Sequence, residues 1–298
     1  MRTILIVVDT LRYDEAFRWT SLLKFPHRWY SNAWAVAPFT LPAMASMVSG
    51  LLPEKHRLWA DWRDPVRCRM VSRVKSTVAH DFGMDAVAVA GAGFANGGQF
   101  GYANGFREWR KVPAEVHFPD WADEYQGVRF LLLHSFELHN YIGVPCPTRA
   151  EGTVFPYIDH DHAEPVHPME QLEARREKLG WVEDRLRVLV RNNPADRILV
   201  TSDHGEGFSP GCSLGHGAGH LPTEEVLHVP LVEFGPEQKG ATVDPRFVPQ
   251  HRLRGLLAGE LDTSPVRVRW PWDRDGRRKR TVSFVLGWPR ATIKDARW

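Results

Sequence analysis

The sequence predicts an α/β fold: a central, mostly parallel β-sheet flanked by helices, with a small strand-rich element at the C-terminus. Three observations predict it. Two short apolar runs rich in β-branched residues, 4–8 and 198–201, have the composition of strands buried on both faces, and each leads into an acid, Asp9 and Asp203. Residues 169–191 place Leu172, Leu179, Val182, Leu186, Leu189 and Val190 among alternating charges, the pattern of an amphipathic helix laid on a sheet. The chain has 298 residues, of which 43% are apolar, enough for one large core with a minor unit beside it. The expected division is a main α/β unit over 1–240 and a small C-terminal unit over 241–298.

The first strand ends at Asp9. In open α/β sheets ligands collect at the carboxyl ends of strands, so a carboxylate there is placed for chemistry, although Asp9 also reads as the N-cap of a following helix. Next comes Ala37-Pro-Phe-Thr-Leu-Pro-Ala-Met-Ala-Ser-Met-Val-Ser-Gly50. Thr40 stands just ahead of a helix whose first turn accepts Pro42 and which Ser49-Gly50 stops. A hydroxyl there meets unpaired backbone N–H groups and the positive end of the helix dipole, which favour an alkoxide and a bound oxyanion. The plain alternative is that Thr40 only caps the helix.

Residues 54–75 alternate charge with tryptophan, as a cleft lining or a solvated helical face does. Residues 84–90 read as another buried strand, and the glycine-rich stretch 91–98 after it as a loop at the rim of the site, with Asn96 a substrate contact. That stretch is no dinucleotide fingerprint, because no ribose-binding acid follows a proper G-x-G-x-x-G. Asp159-His-Asp-His162 with His167 could hold a metal within a loop or could simply be solvated.

Beyond the amphipathic helix lies Arg197-Ile-Leu-Val-Thr-Ser-Asp-His-Gly-Glu-Gly207, a strand followed by an acid, an imidazole and two glycines that allow a close turn. Carboxylates plus one imidazole suit zinc or manganese, whereas more oxygen ligands would suit magnesium or calcium. The C-terminal stretch 266–286 reads as two strands around an Asp275-Gly276 turn. Its Arg277-Arg-Lys-Arg280 cluster fits either a polyanion contact or a solvated hairpin tip.

Composition excludes several classes. A formal net charge of +2 carries no nucleic-acid or membrane-surface signature. No window approaches the roughly 18 apolar residues of a membrane span. Cys68, Cys146 and Cys212 are widely spaced and form no C-x-x-C, as expected of ordinary thiols in a reducing compartment. The N-terminal apolar run is too short for a secretory signal. A cytoplasmic protein with no membrane span and no nucleic-acid partner is expected, of undetermined oligomeric state.

Six motifs taken together resemble the alkaline phosphatase superfamily, on its sulfatase-like and phosphodiesterase-like branch. They are the Asp9 and Thr40 segments, Asn104-Gly-Phe-Arg-Glu-Trp109, Leu133-His-Ser-Phe-Glu-Leu-His139, the Asp203 segment, and the stretch from Gly215-His-Gly-Ala-Gly-His220 to Leu231. The resemblance implies an alkaline phosphatase-like fold, with Asp9, Asp203 and His204 as metal ligands and Thr40 as a nucleophile that also touches the metal. It implies that His139 and His220 serve catalysis near the leaving group. His216 could replace His220, and His216 and Glu137 are expected on the substrate side with Asn96.

Departures from the family pattern narrow the chemistry. Where the family's sulfatases carry a Cys or Ser that becomes formylglycine, this chain has Thr40, whose β-methyl group blocks that aldehyde. The arginine that steadies the modified residue is replaced by Met44. Thr10 stands where many relatives have a second Asp, and Glu137 where many have Asp. The expectation is one divalent ion, manganese or zinc ahead of magnesium or calcium. A second ion, if bound, would fall to Glu137, His139 and His220. The expected function is that of a metal-dependent phosphoesterase or phosphotransferase, hydrolysing a small-molecule phosphodiester or phosphomonoester through a phospho-Thr40 intermediate. The alternatives are hydrolysis of a sulfate ester, or a catalytically idle relative that binds an anionic ligand.

Overall fold

A computed structural model describes residues 1–58, 74–91, 100–112, 116–142, 168–208, 216, 223–272, 280–286 and 292–294. Its strands are β1 (Thr3–Val8), β2 (His27–Trp34), β3 (Ala86–Ala90), β4 (Glu108–Lys111), β5 (Phe130–Ser135), β6 (Arg197–Thr201), β7 (Leu231–Phe234), β8 (Ala241–Pro249), β9 (Val266–Trp272), β10 (Arg280–Leu286) and β11 (Thr292–Lys294). The helices are α1 (Tyr13–Ala16), α2 (Thr40–Ser49), α3 (Pro53–His56), α4 (Val78–Asp81), α5 (Phe118–Glu124), α6 (Pro168–Asn192), α7 (Glu224–Leu227) and α8 (Leu253–Ala258).

Among the described residues the main sheet has eight strands in the order β4-β3-β5-β1-β6-β7-β2-β8. From β4 to β6 all neighbours run parallel; β7 is antiparallel to both β6 and β2, and β8 is parallel to β2. The expected mostly parallel sheet is therefore present. β1 lies near its centre, every residue buried, as a β-branched run without alternation requires.

Side-chain alternation along the strands divides the core into two layers. Leu5 and Val7 of β1, Leu132 of β5 and Leu199 of β6 pack with Leu41, Met44, Met47 and Val48 of α2. Ile4, Ile6, Val8, Leu131, Leu133, Ile198 and Val200 face the other way, onto Phe118 and Ala122 of α5 and Val182, Leu186, Leu189 and Val190 of α6. The sheet is thus sandwiched, with α2, α4 and α8 on one face and α1, α5 and α6 on the other. Arg2, at the foot of β1, ties the second layer together by bonding Asp196, Asn193 and the carbonyls of Ala122 and Tyr125.

Two expectations are corrected. Met84 belongs to a turn rather than to a strand: its φ is +61° and it is exposed, and the strand begins at Ala86. The division after residue 240 falls inside the main sheet, because β8 pairs along β2 from His27↔Ala241 to Trp34↔Pro249. Exposed positions and Pro245 on β8 suit an edge strand, which needs only one partner. The separate three-stranded sheet, ordered β11-β10-β9, starts at Val266, and Val266 and Val268 pack into the α2-side core. β9 and β10 pair antiparallel as the hairpin signal predicts, while β11 is an addition. Asp275, Gly276 and the basic residues 277–279 lie outside the described residues. So do residues 59–73, 92–99 and 143–167, with Cys68, Cys146 and the cluster of Asp159, His160, Asp161, His162 and His167, and so does Cys212.

Candidate active site

Asp9 follows Val7 by two residues at the carboxyl end of β1 and is completely buried. Its backbone N–H donates to the Ser135 carbonyl, 2.9 Å away, continuing the β1–β5 ladder. The chain then turns sharply: Thr10 has φ +61°, a left-handed conformation that a β-branched residue adopts only when held there. Arg175 of α6 holds it. The guanidinium donates to the Thr10 carbonyl at 2.6 Å and to Thr10 Oγ1 at 3.2 Å, and forks onto Glu15 at 2.6 and 2.8 Å. The following helix is capped by Arg12, so Asp9 is not a helix cap.

Thr40 opens α2 as its first helical residue, after extended Phe39 at the N-cap position. Its hydroxyl therefore does not cap the helix. Instead Oγ1 donates to Asp9 Oδ2 at 3.0 Å and stands 3.3 Å from His204 Nε2. The helix ends at Gly50, whose φ of +75° gives the left-handed stop. Met44 is completely buried and packs in the apolar core. Beneath the helix, His56 accepts the Leu58 N–H at Nδ1 and bonds Ser46 Oγ through Nε2; burial pushes its pKa down to about 3.

Asp203 and His204 lie just past β6, both completely buried. Gly205 lets them approach: a Cβ there would sit 2.1 Å from the Glu225 carbonyl oxygen, and the Gly205 N–H donates to Val226 O at 2.7 Å. His204 Nδ1 donates to the Gly205 carbonyl at 2.8 Å, which turns the lone pair of Nε2 into the site. Gln250, just after β8, donates through Nε2 to the carbonyls of Ser202 and Asp203.

The polar atoms of this set fit a metal. One ligand atom each from Asp9, Asp203 and His204 lie within 4.8 Å of one another. Asp9 Oδ1 and Asp203 Oδ2 are buried and have no hydrogen-bond partner. Burial acts to raise both acids; attraction to His134 and the charge of the other nearby imidazoles hold Asp9 well below the carboxylate range, whereas burial and the Asp9 charge push Asp203 up. Two buried carboxylates that repel each other and leave oxygens unpaired are matched to a divalent cation, and an imidazole beside them is in keeping with zinc or manganese.

Around this centre stand two more histidines. His216 Nδ1 donates to both Glu206 oxygens, each at 3.0 Å, and its ring centroid lies 4.4 Å from His204 and 4.9 Å from His139. His216 pulls Glu206 down to about 2 against the effect of burial, and Glu206 raises the pKa of His216, again against burial. His139 stacks on Phe136, and burial, opposed by Asp9, pushes it down to about 4. Glu137 is drawn elsewhere: its buried carboxylate takes a charged bond of 2.6 Å from Arg185 on α6, so that oxygen is engaged on the helix rather than on substrate or an ion. His220 and Asn96 lie outside the described residues.

No family model matches the sequence, and no curated protein resembles it significantly. Solved structures do. A putative sulfatase from Bacteroides thetaiotaomicron superposes with a TM-score of 0.66 over 96% of this chain and 81% of its own, at 15% identity. The phosphonate monoester hydrolase of Agrobacterium radiobacter does so with a TM-score of 0.62 over 99% and 89%, at 14% identity. An alkaline phosphatase superfamily protein from Vibrio parahaemolyticus gives 0.60 over 98% and 78%, at 14% identity. The chain has the alkaline phosphatase-like fold. Within that fold, the expected set of Asp9, Thr40, Asp203 and His204 converges at the carboxyl ends of β1 and β6 and the start of α2. Sequence reading missed His134, Glu206, Arg175 and Gln250 around this set. Two of these had a signal: His134 lies next to the end of an apolar strand, and Glu206 stands two residues beyond His204.

Proposed function

We propose that this protein is a metal-dependent hydrolase of small-molecule phosphate esters that acts through a covalent phospho-Thr40 intermediate. The observation that carries the reading is the placement of Thr40 Oγ1, 3.0 Å from Asp9 Oδ2 and 3.3 Å from His204 Nε2, at the first residue of a ten-residue helix. Asp9, Asp203 and His204, with Thr40 Oγ1, would hold one divalent ion, manganese or zinc first. When bound, that ion supplies a lowered pKa for the Thr40 hydroxyl and compensating charge for the transferring group.

The chain's own groups do the rest. The N–H groups of the first turn of α2 receive the equatorial oxygens of the ester. The Thr40 hydroxyl gives its proton to solvent and Oγ bonds to phosphorus as the bond to the leaving oxygen breaks; that oxygen takes a proton from an imidazole, which regains one from solvent. Glu206 raises the pKa of His216 and so favours its protonated form; His139 lies beside it, and His220 is a further expected donor. Attack of water on phosphorus then restores the Thr40 hydroxyl.

Phosphate is preferred to sulfate on two residues. Thr40 has no route to the aldehyde that formylglycine sulfatases use, and Met44 fills with core packing the place from which an arginine would steady it. The protein is expected to work in the cytoplasm; no described helix is long and apolar enough to cross a membrane. An activity screen tests the reading: p-nitrophenyl phosphate, bis-p-nitrophenyl phosphate, a phosphonate ester and p-nitrophenyl sulfate, each with manganese, zinc, magnesium and calcium. Turnover of a phosphate ester above the sulfate is expected, and the reverse order would overturn it.

A further inference from the structure

His134, the penultimate residue of β5, is completely buried, yet neither of its ring nitrogens has a hydrogen-bond partner. Strand alternation sets its direction. Phe130 and Leu132 of β5 pack on the α2 side, and His134 is the next residue in that series. It pairs in register with Val7, and Asp9 stands two residues beyond Val7 on the same face. The imidazole therefore lies under the Asp9 carboxylate, with Nε2 3.6 Å from Oδ2.

A buried imidazole without partners is costly, and such groups nearly always find one. The acceptor facing Nε2 at 3.6 Å is Asp9 Oδ2, which also takes the Thr40 hydroxyl, while Asp9 Oδ1 has no hydrogen bond. The two oxygens are thus set apart, with a donor aimed at one and the other left for a cation. We propose that His134 is the positioning residue of Asp9: its Nε2–H donates to Oδ2 and keeps the carboxylate turned so that Oδ1 meets the metal. Donors of this kind behind a ligating group fix its orientation, and their loss weakens metal affinity by about 10–100-fold. The inference rests on Asp9 being a cation ligand.

Calorimetric titration of the full chain with Mn²⁺ tests it, using wild type, His134→Leu and His134→Gln, with thermal unfolding in EDTA as the control on folding. His134→Leu removes the donor and His134→Gln keeps an N–H of similar reach. The expected result is a loss of Mn²⁺ affinity of about 10–100-fold in His134→Leu, most of it recovered in His134→Gln, while unfolding in EDTA is no earlier for either. Wild-type affinity in His134→Leu, or equal losses in both variants, would overturn the positioning role while leaving the metal centre in place. Absence of Mn²⁺ binding by the wild type would overturn the metal centre itself, and the inference with it.

Discussion

Thr40 has its hydroxyl committed to a carboxylate rather than to the backbone of its own helix, and that geometry separates a nucleophile from a cap. Thr40→Ala is therefore expected to cost little stability, because no cap is lost, and to reduce phosphate-ester turnover by roughly 10⁴-fold or more. Steady-state kinetics and thermal unfolding check the two halves. Asp203 behaves in the opposite sense. It is buried beside a second carboxylate that pushes its pKa up, so Asp203→Asn relieves a repulsion in the metal-free chain. The variant should unfold later than wild type in EDTA and lose the stabilisation that Mn²⁺ gives wild type. At a free Mn²⁺ concentration a hundred times above Kd that stabilisation is about 2.7 kcal/mol. These residues were legible because each carries its chemistry at a strand end or a helix start. Arg175 and Gln250 were not: their partners, Thr10, Glu15 and the Ser202–Asp203 carbonyls, lie far along the chain, and no local pattern announces them.

At the scale of elements, the turn after β6 depends on one missing side chain. Any Cβ at residue 205 would run into the backbone oxygen of Glu225 at 2.1 Å, where no rotamer can give way. Gly205→Ala should destabilise the protein by about 1–3 kcal/mol and weaken Mn²⁺ binding by displacing Asp203 and His204; chemical unfolding and calorimetry measure each. Strands β1 and β6 were readable as apolar β-branched runs, and α6 as a periodic stripe. β8 was not, since Ala241-Thr-Val-Asp-Pro-Arg246 is mostly exposed and its place in the sheet comes only from pairing with β2. The turn at Met84 was hidden for a related reason: left-handed backbone at a non-glycine residue leaves no mark in composition.

The whole molecule carries its site on a sheet clamped between two helical layers, and buried histidines make that assembly sensitive to acid. Burial lowers the pKa of His56 to about 3 and of His251 to about 4, from an ordinary value near 6.5. Both are neutral when folded and take up a proton readily when unfolded, so the unfolded chain binds more protons at mildly acidic pH. Their contribution to stability is complete above pH 6.5 and is lost as pH falls toward the folded pKa values, at about 1.4 kcal/mol per pH unit for each. Urea unfolding between about pH 7 and pH 5 should show the loss, and His56→Gln should reduce its slope by about 1.4 kcal/mol per unit. The sheet and its helical layers were legible from strand and helix patterns, whereas the boundary of the small C-terminal unit depended on a strand that only the assembled sheet defines.

Turnover through Thr40 requires a bond between its oxygen and phosphorus. Acid quenching during turnover of bis-p-nitrophenyl phosphate with Mn²⁺, followed by proteolysis and mass spectrometry, examines it directly. A nitrophenyl-phosphoryl adduct on Thr40 itself is expected, present during turnover and absent from Thr40→Ala. An enzyme that turns over the ester with Thr40 unmodified, or with the adduct on another residue, would contradict it.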